Sequence, residues 1–430
     1  MKVTRIETFR PSARPSLIWV RVHTDEGLVG LGESWFGAET IEADIHGRIA
    51  PLILGEDASR IEALHRSMRP YVGFCGTSAE IRALSAVDVA LWDIAGKRAG
   101  LPLHELFGGR SRDQVRLYNT CAGPDYVSKS ADVRPGNFGL EKPGLEKPGL
   151  EKPGLEKPGL EKPGLGKGDS GENRERPRYE DLQAFLERPA ELAGELLEMG
   201  INAMKIWPFD FAEGARDGVD ISPEDLARAL WPFEEIRRVH GERMKLKVEL
   251  HGLWNLSSAR RICQALAPIQ PDWVEDPIWM DRFTELAELT DTGVPIAGGE
   301  TLGGLGQLRD LIATGRVHSP IIDVTWGGGI TFARKAAALA EAHGRPIAFH
   351  DCSGPVTLAV STHLAMALPN VAEQEFTRAF YYGWYGDCVE GLPPINNGYI
   401  RAAEGNGLGV SLAPAIVEAG DDVVTLRVSQ

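Results

Sequence analysis

The sequence is short of cysteine, of positive charge and of long apolar runs. It has five cysteines, an odd number with no C-x-x-C pair, so neither a disulfide framework nor a zinc ribbon is indicated. Lys and Arg total 46 against 61 Asp and Glu, and the net charge of −15 argues against binding to nucleic acid. No apolar run reaches the roughly 18 residues of a membrane span, and residues 1–10 lack the apolar core of a signal peptide. We therefore expect a soluble, cytoplasmic protein that does not bind membranes.

Glycine and proline, by contrast, are abundant, with 49 Gly and 28 Pro. Part of this excess lies in residues 141–165, where the pentapeptide E-K-P-G-L is repeated five times without variation. Pro at every fifth position blocks an α-helix, and Gly-Leu alone cannot build a core. We expect residues 139–178 to be a solvated, mobile insertion. The alternative, a lid or a partner-binding arm, needs loop order that the sequence does not predict.

The chain before this insertion has the pattern of an α+β domain, which we assign to residues 1–112. Alternating apolar and polar residues predict three strands, and helical periodicity predicts three helices. The predicted strands are Val3–Phe9, Ile18–His23 and Leu28–Gly32, and the predicted helices are Glu39–Leu54, Arg60–Met68 and Ser78–Arg98.

Residues 113–392 alternate between short apolar strands and amphipathic helices. Eight such strands imply a parallel sheet, and this number in this length predicts an α/β fold of the TIM (β/α) barrel type. Residues 393–430 remain as a C-terminal segment. The predicted strands are Val115–Tyr118, Ala203–Ile206, Lys245–Leu250, Asp272–Val274, Pro295–Ala297, Pro320–Val324, Arg345–Phe349 and Asn370–Ala372.

Ionisable residues recur at the C-terminal ends of these strands. Their spacing from the third strand onward is close to one strand–helix unit, so they should share one rim of the barrel, where barrel enzymes keep their active sites. The series is Lys205, Glu249, Glu275, Glu300, Asp323, His350 and Glu375.

Glu249, Glu275 and Glu300 follow successive strands and are candidate metal ligands. Converging carboxylates repel one another unless a cation is present, and an all-oxygen ligand set suits Mg²⁺. The alternative is a set of structural salt bridges to Lys or Arg. We rank it lower, because no cationic residue lies next to Glu275 or Glu300 in the sequence.

Two histidines lie at strand ends. His350 follows the strand after Asp323, and a carboxylate partner orients an imidazole and raises its basicity, as a general base requires. His251 lies two residues after Glu249. Strand alternation would point both side chains to one face, which makes His251 a possible acid beside the metal.

Taken in order, these residues resemble the enolase superfamily, in its mandelate racemase/muconate lactonising subgroup. The resemblance covers nearly the whole chain outside the insertion. It implies an N-terminal capping domain over a modified TIM barrel, completed by the C-terminal tail, with Mg²⁺ held by Glu249, Glu275 and Glu300. It also implies removal of the α-proton of a carboxylate by a Lys or His base. The motifs are Gly30-Leu31-Gly32-Glu33, Ala90-Leu91-Trp92-Asp93-Ile94-Ala95-Gly96, Val274-Glu275-Asp276-Pro277, Ala297-Gly298-Gly299-Glu300, Gly327-Gly328-Gly329-Ile330 and Gly407-Leu408-Gly409-Val410.

Three departures from the subgroup pattern narrow the expected reaction. The first ligand is Glu249, where relatives usually have Asp. Trp207 stands where relatives often have the second Lys of Lys-x-Lys, so the usual second base is missing and racemisation is disfavoured, unless Lys205 turns inward. His251 stands where many relatives have Asn, and in this respect the chain looks like galactonate and mannonate dehydratases, where a His at this position is the general acid.

We therefore expect a Mg²⁺-dependent sugar acid dehydratase that forms a 2-keto-3-deoxy acid. His350, paired with Asp323, would remove the α-proton, and Lys205 would help to neutralise the developing charge. His251 would protonate the departing 3-hydroxyl, and Glu375 would hydrogen-bond the substrate.

The candidates for lining the substrate pocket are Trp207, Trp326, residues 34–36 and residues 71–76. For the aromatic residues, a role in packing alone is an alternative of about equal weight. Two alternatives stay open. One is a racemase, epimerase or cycloisomerase of the same superfamily, and the other is a metal-binding barrel without turnover that acts as a regulatory or binding protein. The resemblance also suggests a homo-oligomer.

Overall fold

The computed structural model describes residues 1–70, 76–126, 179–418 and 423–427, the last as backbone only. The predicted insertion at residues 139–178 and most of the predicted pocket segment 71–76 lie outside these residues. Within the described part of the chain, no helix combines the length and the apolar character that a membrane crossing needs.

The N-terminal part of the chain forms the predicted α+β capping domain. Strands β1 (Val3–Phe9), β2 (Leu17–Thr24) and β3 (Val29–Trp35) are antiparallel, and the strand Val423–Arg427 pairs with β1, so the C-terminal tail completes this sheet. The sheet packs on the helix Ala79–Ala99. The predicted helix at 39–54 is instead two α-helices joined by a π-helical turn. The remaining elements are the helices Ala38–Asp44, Ala50–Ile53, Ile61–Met68 and Leu103–Leu106, and the π-helical turn Ile45–Ile49.

Strand β3 lies directly on the helix Ala79–Ala99, and this contact explains the Gly30-Leu31-Gly32-Glu33 motif. A Cβ atom on Gly32 would lie 1.8 Å from the carbonyl oxygen of Ala86, and one on Gly30 would lie 1.9 Å from that of Ala90. Backbone therefore packs on backbone here, and glycine is the residue that permits it.

The predicted barrel is also confirmed. Eight parallel strands, β4 to β11, follow one another in sequence order, and β11 pairs with β4 to close the ring. These strands are β4 (Val115–Thr120), β5 (Ala203–Ile206), β6 (Lys245–Glu249), β7 (Trp273–Glu275), β8 (Ile296–Gly298), β9 (Val317–Ile322), β10 (Ile347–Phe349) and β11 (Val371–Phe376).

Helices cover the outside of the barrel, and their amphipathic faces pack on the strands. After β11 a three-residue helix, Arg378–Phe380, and a π-helical turn, Tyr381–Tyr385, replace a long helix, which is how the barrel is modified. The outer helices are Asp181–Glu187, Pro189–Glu198, Pro223–His240, Leu256–Leu266, Phe283–Ala287, Leu305–Ala313, Gly329–Ala342 and Pro355–Ala367.

The segment after residue 392 contacts both the barrel and the capping domain. The strands Ile395–Asn396 and Tyr399–Ile400 form a hairpin that pairs with β4 of the barrel. Farther along, the backbone N–H of Leu408 donates to buried Asp93 of the capping domain, at 2.8 Å.

A buried carboxylate ties the capping domain to the barrel rim. Glu33 accepts hydrogen bonds from the backbone N–H of Thr357 and of Val356 at the start of the helix Pro355–Ala367, at 2.8 and 3.2 Å. Trp19 Nε1 and the Thr357 hydroxyl also donate to it. Burial raises the pKa of Glu33 to about 7, although these four donors favour the charged form.

The contact between β3 and the helix Ala79–Ala99 predicts that no side chain larger than that of glycine fits at position 32. We expect Gly32→Ala to lower the free energy of unfolding by about 2–3 kcal/mol, because the new methyl group overlaps backbone. Gly47→Ala is the matched control, since a methyl group there meets nothing within 4 Å and alanine favours the helical conformation. Denaturant unfolding measures both; equal stabilities would contradict the close packing.

Candidate active site

Three carboxylates meet at the C-terminal rim of the barrel, as predicted. Glu249 ends β6 and Glu275 ends β7, and the two residues are direct partners in the parallel ladder. Glu300 follows β8. One oxygen from each carboxylate lies within 4.8 Å of the other two. The structure therefore brings together the whole predicted metal-ligand set.

The loop that carries Glu300 is fixed by an aspartate that the sequence analysis did not single out. Asp276 accepts a hydrogen bond from the Gly299 N–H at 3.0 Å. Gly298 has a φ of 141°, and a Cβ atom on it would lie 2.0 Å from Asp276 Oδ1. Gly298 is thus required by the approach of Asp276, and Gly299 by its φ of 112°.

Lys205 of β5 supplies positive charge to this cluster. Its Nζ lies 2.8 Å from Glu275 Oε1 and 3.2 Å from Glu249 Oε2. The salt-bridge alternative is therefore realised for two of the three carboxylates, by a cation from a neighbouring strand. Burial would lower the pKa of Lys205, but the surrounding carboxylates raise it well above its usual value, so the amine is charged.

One ammonium group does not balance the cluster. Burial, together with the neighbouring carboxylates, raises the pKa of Glu275 and of Glu300. The Glu300 oxygen Oε2 is buried and makes no hydrogen bond within the described structure. A set of crowded carboxylate oxygens, one of which makes no hydrogen bond and lies 3.5 Å from His350 Nε2, fits a hard divalent cation.

His350 and Asp323 form the predicted pair. His350 Nδ1 lies 2.7 Å from Asp323 Oδ2, and Nε2 lies 3.5 Å from Glu300 Oε2. The other Asp323 oxygen accepts the N–H groups of Thr325 and Trp326, which begin a short helix, so the carboxylate cannot rotate. Burial would lower the pKa of His350, but Glu300 and Asp323 raise it to about 10.

His251 lies beside the carboxylate cluster. We had expected strand alternation to place it there, but a turn after β6 does so instead. β6 ends at Glu249, His251 has a φ of 49°, and its N–H donates to Glu249 Oε1 at 2.8 Å. Its Nδ1 lies 2.7 Å from Asp210 Oδ2. Burial would lower the pKa of His251, but Asp210 and Glu249 raise it to about 10.

Asp210 was missed by sequence reasoning. It lies in the one-turn helix Pro208–Phe211, in the loop that follows β5. Because β5 and β6 are adjacent, this loop lies beside the loop that carries His251. An acidic residue in the loop before a candidate catalytic histidine is the signal that could have found it.

These residues surround a small cavity of about 50 Å³. Trp207 and Trp326 line it as predicted: the ring of Trp326 lies 4.7 Å from that of His350, and the ring of Trp207 lies 5.9 Å from that of His251. The lining residues are Phe36, Thr120, Tyr126, Lys205, Trp207, Glu249, His251, Glu300, Trp326, His350 and Cys352.

Glu375 differs from the prediction, because it does not line the cavity. It is fully buried and accepts hydrogen bonds from the Thr120 hydroxyl and from the Asp351 N–H, and it lies 2.9 Å from Lys205 Nζ. These contacts make it a partner of Lys205 rather than a group that contacts a ligand directly.

The capping domain reaches the site through Arg82, which sequence reasoning also missed. Its guanidinium lies 4.3 Å from the ring centre of Trp326 and donates to the carbonyl oxygens of Trp35 and Thr77 at 2.6 and 2.8 Å. Arg82 therefore stacks on Trp326 and holds it in place, and Trp326 in turn packs on His350.

Comparison with known proteins agrees with this architecture. A family model described as enolase C-terminal domain-like matches residues 188–416, and the mandelate racemase/muconate lactonizing enzyme N-terminal domain matches residues 7–108. A D-galactonate dehydratase from Ralstonia pickettii (strain 12J) is 28% identical over 425 residues, covering 97% of this chain and 94% of the relative. A D-galactonate dehydratase from Variovorax paradoxus (strain S110) is 26% identical over 421 residues, covering 96% and 92%.

Solved structures give the same result. An enolase of the mandelate racemase subgroup from Agrobacterium tumefaciens superimposes with a TM-score of 0.81 at 38% identity and covers 99% of both chains. An enolase from the environmental genome of the Sargasso Sea superimposes with a TM-score of 0.81 at 37% identity over 100% of both chains. The chain belongs to the enolase superfamily, within its mandelate racemase/muconate lactonising subgroup.

Proposed function

We propose that this protein is a magnesium-dependent sugar acid dehydratase. The observation that carries the proposal is the presence of two histidine–aspartate pairs at the rim, one on each side of the carboxylate cluster. His251 follows β6 and His350 follows β10, and these strands are four apart in a ring of eight. The two imidazoles therefore belong to opposite strands of the ring, and both line the cavity. Loss of water needs a base at one carbon and an acid at the next, which this arrangement can supply.

The metal would be held by Glu249, Glu275 and Glu300. When bound, it supplies positive charge that stabilises the enediolate formed from the substrate carboxylate. Lys205, beside two of these ligands, adds a fixed positive charge in a site that excludes water, where such charge is most effective.

His350 is the proposed base, acting at its Nε2. Asp323 accepts from Nδ1, which leaves Nε2 free to take the α-proton. Glu300 contributes most to the raised pKa of His350, so neutralising the charge of Glu300 lowers that pKa towards the range in which a base is deprotonated.

His251 is the proposed acid. Its raised pKa keeps the imidazole protonated at neutral pH, and it lines the cavity. It would pass a proton to the departing 3-hydroxyl, and the resulting enol would tautomerise to the 2-keto-3-deoxy acid. The names of the D-galactonate dehydratases that resemble the chain support a substrate of this class.

The same pair of imidazoles also suits a second candidate, an epimerase of sugar acids. Trp207 cannot exchange a proton, but His251 could reprotonate the α-carbon from the face opposite His350. The products separate the candidates, since an epimerase forms no keto acid.

The carboxylate cluster predicts a metal-dependent gain in stability. Millimolar Mg²⁺ should raise the thermal midpoint, because a ligand that binds only the folded state stabilises it. Glu300→Gln should abolish this gain and, without metal, should be at least as stable as the unaltered protein, because one repelling charge is gone. Glu288→Gln, at an exposed position, is the control. A gain that persists in Glu300→Gln would remove Glu300 from the ligand set.

The dehydratase assignment predicts formation of a 2-keto acid from a hexonic, pentonic or aldaric acid in the presence of Mg²⁺. His350→Asn should slow this reaction by roughly 10²–10⁴-fold, the usual contribution of a general base. His343→Asn, at an exposed position, should leave it unchanged. Full turnover by His350→Asn would refute the base assignment, and epimerised substrate without keto acid would favour the second candidate.

A further inference from the structure

Asp210 is buried in a way that local structure does not explain. Its side chain is 1% exposed, and one oxygen, Oδ1, makes no hydrogen bond within the described structure. The other oxygen contacts His251 Nδ1 alone, at 2.7 Å. Burying a half-satisfied carboxylate beside Glu249 costs free energy, and such costs persist where a function requires them.

The contact between Asp210 Oδ2 and His251 Nδ1 fixes which nitrogen of His251 carries the shared proton. An ionised carboxylate can only accept a hydrogen bond, so Nδ1 must be the donor and Nε2 is left to face the cavity. The ring of Trp207 packs edge-on against the imidazole, and the His251 N–H is held by Glu249. Ring and backbone are therefore both fixed.

The arrangement repeats the one around His350. In each pair the aspartate follows the strand immediately before that of the histidine, and in each pair the Nδ1–Oδ2 distance is 2.7 Å. The repeat places Asp210 in the same relation to His251 as Asp323 has to His350.

We propose that Asp210 is the positioning residue of the acid, holding the His251 ring in the orientation that directs Nε2 at the leaving hydroxyl and accepting the Nδ1–H that remains after the Nε2 proton has left; this rests on the proposed dehydratase function. In the step, the proton leaves Nε2 for the 3-oxygen and the C3–O bond breaks, so water departs. The electron pair of the enediolate forms the C2–C3 double bond. His251 becomes neutral and keeps the Nδ1–H that Asp210 accepts.

The test separates proton removal from loss of water. The reaction is run in D₂O. Deuterium in the recovered substrate measures removal of the α-proton, and formation of keto acid measures loss of water. Asp210→Asn should lower kcat for keto acid by about 10²–10³-fold, because an amide that donates to Nδ1 leaves His251 as a neutral imidazole, which is too weak an acid to give up its Nε2 proton. KM should change little, and α-deuteration should continue, as in His251→Asn.

Two further variants test whether the effect on kcat is specific to the carboxylate of Asp210. Asp210→Glu keeps a carboxylate and should recover part of the kcat. Asp220→Asn, in the same loop but exposed, should behave like the unaltered protein. The proposal is overturned if Asp210→Asn keeps normal kcat, or if it lowers deuteration and elimination equally.

A measurement without substrate distinguishes failure of this inference from failure of the proposed function. In protein labelled with ring-¹⁵N histidine, the His251 signals are identified by their loss in His251→Asn. They should show a protonated Nδ1 that is lost in Asp210→Asn. If Nδ1 lacks a proton in the unaltered protein, the positioning role is wrong. If that proton is present but no sugar acid exchanges or reacts, the positioning stands and the dehydratase assignment fails.

Discussion

One buried ammonium group, that of Lys205, stands among the carboxylates of Glu249, Glu275 and Glu375, with Glu300 close by. Like charges at this density, away from water, cannot all be ionised without further positive charge. Parallel strands enforce the crowding, because adjacent strands end at the same level and direct partners, such as Glu249 and Glu275, have no room to separate. The fold thus concentrates negative charge that a divalent cation would neutralise. The remaining polar groups of the rim lie around this carboxylate cluster.

The two imidazoles are the clearest example of that arrangement. Each is attached to the cluster on one side, through Glu249 for His251 and through Glu300 for His350, and to an aspartate on the other. The capping domain closes the rim from above. Glu33 binds the start of a barrel helix, and Arg82 holds Trp326 against His350. A change in how the cap sits is therefore transmitted to the proposed base through packed side chains.

The features that could be predicted from the sequence are those that depend on the spacing of strands and helices and on their order along the chain. From the third barrel strand onward, the strands and the rim residues from Glu249 to Glu375 repeat at about the length of a strand–helix unit, and repetition at that length leaves few other folds. Sequence reasoning failed where the outcome depends on the conformation of loops. Asp210 lies in a turn after β5, and Arg82 lies on a helix of the other domain, so no spacing links either to its partner. Glu375 is in phase with the rest, but the Asp351 N–H and the Thr120 hydroxyl draw it below the cavity. The helix expected at residues 39–54 contains a π-helical turn, which simple periodicity does not reveal.

The glutamate in place of the usual aspartate at the first ligand position has a physical consequence here. The longer side chain lets Glu249 reach two groups at once: Oε2 lies 3.2 Å from Lys205, and Oε1 accepts the His251 N–H at 2.8 Å. A proposed ligand carboxylate is thereby joined directly to the turn that carries the proposed acid. A shift of Glu249 towards a cation would pull on a backbone that already has a φ of 49°, and Asp210 would hold the imidazole against that movement. Charge balance at the cluster and the orientation of the proposed acid therefore meet at His251, whose two carboxylate partners, Glu249 and Asp210, are both buried.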